Sequence, residues 1–80
     1  MATVHFSGSL ARYTDGVETL TVDAPRVREL LHEVTGRFPA LAEPLEIMAI
    51  AVDGEVHAEA DYLKLSPESE IHFVPRVAGG

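Results

Sequence analysis

Eighty residues with no cysteine and a net charge of −7 describe one small acidic domain. It must fold around a single core, without a disulfide framework, a thiolate metal site or a cysteine nucleophile. Its 46% apolar content is too high for disorder, and its five arginines and one lysine form no cluster to neutralise phosphates, which argues against nucleic acid as a partner.

Near the start, Val4 and Phe6 alternate with His5 and Ser7, the period of a half-buried strand. Gly8 through Asp15-Gly16 carries turn signals at both ends. Val17 to Val22 follows as a second strand with Leu20 and Val22 inward. An opening antiparallel hairpin is expected.

The period then becomes helical. Val27, Leu30, Leu31, Val34 and Phe38 fall on one stripe, and Arg28, Glu29, His32, Glu33 and Arg37 take the other faces. The principal helix is therefore predicted near residues 26–38, with Asp23 and Pro25 as start signals and Gly36 and Pro39 as the stop. Leu30, Leu31 and Val34 are expected to be buried. Pro39 to Leu45 adds at most a short helical turn.

From Ile47 the chain returns to strand, with Met48, Ile50 and Val52 on one face and alanines on the other, as in a central strand. This apolar run, Ile47 to Val52, is far too short to span a membrane, and the N-terminal residues carry no signal-peptide pattern. A cytoplasmic protein with no membrane partner is expected. Asp53-Gly54 is a tight-turn signal leading to Glu55-Val56-His57. Ala58 to Leu65 is irregular, with Tyr62, Leu63 and Leu65 expected at the core edge. Ser66-Pro67-Glu68-Ser69 is a turn, and Glu70 to Val74 is the last strand, with Ile71 and Phe73 inward. Pro75 has no donor and ends the ladder.

One amphipathic helix has one sheet to cover. The fold expected is an α+β roll of the β-grasp, ubiquitin-like type. Its mixed sheet has four to five strands, and one principal helix packs across one face. The domain covers residues 1–74, and residues 75–80 form a flexible C-terminal tail ending in Gly-Gly.

That tail, Val74-Pro75-Arg76-Val77-Ala78-Gly79-Gly80, is the most informative segment. Two glycines remove every Cβ, so the backbone fits a channel too narrow for other residues. The rest of the chain offers no obvious chemical site, which makes the end of the chain the expected active group. An α-carboxylate, with a pKa near ~3.5, is an anion at neutral pH and a poor electrophile until it is activated.

The hairpin, the helix ending in Arg37-Phe38-Pro39-Ala40-Leu41, the strand with Ala51-Val52-Asp53-Gly54 and the closing Phe73 to Gly80 together resemble the ubiquitin-like sulfur carriers of the MoaD/ThiS type. The resemblance spans the whole chain. It implies that Gly80 is adenylated by a ubiquitin-activating-type enzyme and then converted to a thiocarboxylate. That group delivers sulfur inside a second partner, a sulfur-accepting synthase such as the large subunit of molybdopterin synthase. On this reading Gly79, Ala78, Val77 and Pro75 thread and aim the tail. The carrier holds no cofactor, and ATP is used by the activating partner. Molybdopterin is the favoured destination; thiamin, cysteine, tRNA or secondary-metabolite sulfur transfer stay open, as does modification of protein lysines.

Other constellations are weaker. His5, His32, His57 and His72 show no helical i, i+4 metal spacing and no carboxylate in a recognisable ligand pattern, so no metal is expected, although His5 and His72 can share an outer face. Val74, Val17 and Ile47 are candidates for partner docking on the sheet face that the helix leaves open.

Overall fold

The computed structural model describes residues 1–6, 8–57 and 60–75. Its first two strands, β1 (Ala2–His5) and β2 (Thr19–Val22), pair antiparallel with Val4 opposite Leu20. The principal helix α1 (Val27–Arg37) follows, then a 3-10 turn at Pro39–Leu41 and a short helix α2 (Ala42–Glu46). Strands β3 (Met48–Val52), β4 (Glu55–His57) and β5 (Glu70–Pro75) complete the chain. The five-stranded sheet has the order β2-β1-β5-β3-β4, with β5 parallel to β1 and antiparallel to β3. This is the expected mixed β-grasp sheet.

Alternation along each strand assigns the two faces. Ala2, Val4, Val22, Ile50, Ile71 and Phe73 point inward and join Phe6, Val27, Leu30 and Val34 in one core. Leu30 and Val34 are fully buried, whereas Leu31, expected beside them, is half-buried at the margin. Phe6 ties the layers together: its ring meets Phe38 edge-on at 5.7 Å and stacks with Phe73 at 6.3 Å.

Helix α1 starts and stops differently from its sequence signals. Asp23 and Pro25 stand outside it, and the N-cap is Arg26, whose side chain makes no capping bond. The first free N–H groups are met by tertiary partners instead: Val27 donates to the Leu63 carbonyl and Arg28 to the Asp61 carbonyl. The irregular segment before β5 therefore caps the helix. Its Ala60 is buried and its Leu63 and Leu65 are half-buried, but Tyr62 is 83% exposed and not pinned to the core. Main-chain bonds at Asp61, Leu63 and Leu65 fix the segment, and the Tyr62 side chain between the first two falls outward. Gly36 lies within α1, and the helix ends at Phe38, whose N–H returns to the Val34 carbonyl just before Pro39.

The connection from Gly8 holds a 3-10 helix, Gly8–Tyr13, that the turn signals concealed. It buries Leu10, and the buried Thr14 hydroxyl donates to the Val17 carbonyl at 2.7 Å. Asp53 and Gly54 both have positive φ, 50° and 86°, as a two-residue hairpin with Val52 opposite Glu55 requires.

Candidate functional site

Strand β5 occupies the middle of the sheet, bonded to β1 on one side and β3 on the other. A strand held along both edges is a rigid base for whatever follows it. Among the described residues its last paired residue is Pro75, opposite Met48. Pro75 fixes φ and offers no N–H to the ladder. Val77, Ala78, Gly79 and Gly80, expected to thread a partner's channel, lie outside the described residues.

Of the expected docking residues, two meet near this exit. Val74 is on the outer face of β5 opposite Ala49. Ile47, 73% exposed, directly precedes Met48, the partner of Pro75. Ile47 also lines a shallow groove with Tyr13, Ala40, Glu43, Pro44 and Glu46, an apolar floor with two carboxylates on its rim. Val17 is placed elsewhere: it is half-buried and packs against the core.

The outer face of the sheet can be read row by row from the register. Thr19, His5, His72, Ala51 and Val56 stand side by side, one on each strand from β2 to β4. The His5 and His72 rings stack at 4.4 Å with an interplanar angle of 4°, and His5 Nε2 lies 2.8 Å from Glu70 Oε1. The shared face of the two histidines was legible from alternation along each strand. Glu70 was not, because its approach to His5 depends on the parallel pairing of β1 with β5. No helix among the described residues is long and apolar enough to cross a membrane.

Comparison with known proteins places this geometry. The ThiS family model matches residues 4–80. The chain belongs to the ThiS family of ubiquitin-like sulfur carriers. No curated protein matches it in sequence. Among solved structures it is similar to the Amycolatopsis orientalis BexX/CysO complex, with a TM-score of 0.84 at 19% identity and coverage of 100% of both chains. It is also similar to small archaeal modifier protein 1 from Methanosarcina acetivorans, with a TM-score of 0.82 at 22% identity over 99% of this chain and 95% of that one. A third likeness is to the complex of subunits 1 and 2 of molybdopterin-converting factor from Helicobacter pylori, with a TM-score of 0.69 at 23% identity, covering 99% and 97%. At these identities the structural likeness concerns the fold: a β-grasp domain, in two of the three cases solved with a protein partner.

Proposed function

We propose that this ThiS-family chain carries sulfur in the cytoplasm as a thiocarboxylate on Gly80 and donates it in cofactor biosynthesis, with molybdopterin as the destination. The observation that carries the reading is the family match running through to residue 80, on a chain whose central strand reaches Pro75, four residues before Gly79 in sequence. In this account residues 75–80 act as the delivery arm of the β-grasp domain.

The chemistry follows from the carboxylate. Its oxygen attacks the α-phosphorus of ATP in a ubiquitin-activating-type partner, releasing pyrophosphate and leaving an acyl adenylate. Hydrosulfide then attacks the Gly80 carbonyl carbon, the bond to AMP breaks, and the terminus is left as a thiocarboxylate. Metal and hydrogen-bond donors in the partner stabilise the charge that develops. The carrier contributes a reactive terminus, a rigid strand to aim it, and the apolar surface of Val74 and Ile47 as the partner's landing point. It contributes no acid, base or cofactor to these steps.

Incubation with a matching activating enzyme and ATP should release pyrophosphate in proportion to the carrier. Adding the thiocarboxylated carrier to the large subunit of molybdopterin synthase should then support dithiolene formation. Failure with that subunit but success with a thiazole synthase would move the destination to thiamin. A second reading, attachment to protein lysines, is favoured by the likeness to an archaeal modifier protein. It predicts an isopeptide-linked product in a reconstituted conjugation with ATP.

A further inference from the structure

His5, Glu70 and His72 bring three metal-binding donors to one spot on the outer sheet face, all within 4.8 Å of one another. No metal is expected from the sequence alone, because His5 joins Glu70 and His72 only through the β1–β5 ladder. That ladder sets His5 directly opposite His72, and Glu70 shares their face two residues earlier on β5.

The supporting backbone is well fixed. Glu70 donates its N–H to Asp53 Oδ1 and accepts the Asp53 N–H on its carbonyl, each at 2.9 Å. Thr3 donates to the Ser69 carbonyl at 2.9 Å, locking the start of β5 to β1. Donors on paired strands hold position better than donors on loops. Their neighbours in the row are small, Thr19 beside His5 and Ala51 beside His72, which leaves the approach from solvent open. Among the described residues, the ion pairs of side chains are His5–Glu70 and His57–Glu55, so no arginine or lysine competes for the Glu70 carboxylate.

We propose that His5, His72 and Glu70 form a binding site for a divalent transition metal of zinc type. Two imidazoles and one carboxylate are a donor set that Zn²⁺ accepts, with a fourth position left to water. Tetrahedral zinc, with bonds of about 2.0–2.1 Å, sets its donors roughly 3.4 Å apart. The His5–Glu70 pair, at 2.8 Å, is already closer than that. Closure of the site also requires the His5 and His72 rings to rotate out of their parallel stack until their in-plane lone pairs converge on one point. Binding replaces the His5–Glu70 hydrogen bond: the proton that Nε2 donates to the carboxylate moves through solvent to Nδ1, and Nε2 then gives its lone pair to the metal. The site is independent of the sulfur-carrier chemistry.

Titration calorimetry of the EDTA-treated full chain with zinc chloride tests this, and one saturable equivalent is expected. His5→Ala, His72→Ala and Glu70→Gln should each weaken binding about tenfold or more, while His32→Ala and His57→Ala should leave it unchanged. Histidine ¹⁵N spectra of the wild-type chain read the same question without any variant: zinc should shift the ring nitrogens of His5 and His72 and spare those of His32 and His57. Absence of saturable binding would overturn the site. So would shifts centred on His32 or His57, or affinity untouched by the His5 and His72 changes.

Discussion

Asp53 and Glu70 hold one another by two hydrogen bonds: the Asp53 N–H to the Glu70 carbonyl, and the Glu70 N–H to Asp53 Oδ1, both at 2.9 Å. The pair clips the β3–β4 hairpin turn to the start of β5, seventeen positions further along. Asp53 does this from a left-handed backbone, φ 50°, which aspartate and asparagine tolerate better than most residues.

Asp53→Ala should therefore cost about 1–2 kcal/mol in urea unfolding, combining a lost hydrogen bond with a strained φ. Asp53→Asn keeps the acceptor and the conformation, and should stay within about 0.5 kcal/mol of wild type. An alanine variant as stable as wild type would show that the clip contributes nothing.

Leu30 and Leu31 are neighbours on α1 with different surroundings. Leu30 is fully buried, so Leu30→Ala should cost about 2–5 kcal/mol, a large share of so small a domain's stability. Half-buried Leu31 should cost less, about 1–2 kcal/mol for the same change. Equal losses in thermal or urea unfolding would contradict this burial order.

The contrast between these leucines shows what the sequence could convey. The helical stripe, the strand alternation and the Asp53-Gly54 turn are local periodicities, and each reappears in the structure. What escaped depends on contacts distant in sequence. Helix α1 is capped by carbonyls of Asp61 and Leu63 and not by its own flanking residues, and Gly36, a stop signal in the sequence, lies inside the last turn. Gly8–Tyr13 read as a turn because a short 3-10 segment has too few residues to show a period. At the candidate site, the Gly-Gly ending was plain from the sequence, and so were the strand that leads to it and the exposed Ile47. The approach of Glu70 to His5 was not, since it needs the parallel register.

Ile47 and Val74 flank the point where β5 ends, and Ile47 is 73% exposed. Ile47→Asp should leave unfolding stability within about 0.5 kcal/mol, since little packing is lost. It should raise the KM for the activating enzyme by roughly tenfold, a contact worth about 1.4 kcal/mol. An unchanged KM for both Ile47→Asp and Val74→Asp would remove this end of the sheet from the docking surface.

Deleting Gly79 and Gly80 should leave the thermal midpoint unchanged, because the core described here reaches no further along β5 than Phe73. The same deletion should abolish pyrophosphate release with the activating enzyme. A truncated chain that unfolds at lower temperature would assign the tail a structural role.

Intact-mass spectrometry after incubation with the activating enzyme, ATP and a sulfur donor tests the central claim most directly. The mass should rise by the difference between sulfur and oxygen, with fragmentation placing the change on Gly80. A variant carrying one extra residue after Gly80, verified as untrimmed, should show no change, because its carboxylate lies beyond the adenylating site. Sulfur transfer retained by that extended variant, or a mass change located anywhere other than Gly80, would contradict the terminal-glycine mechanism.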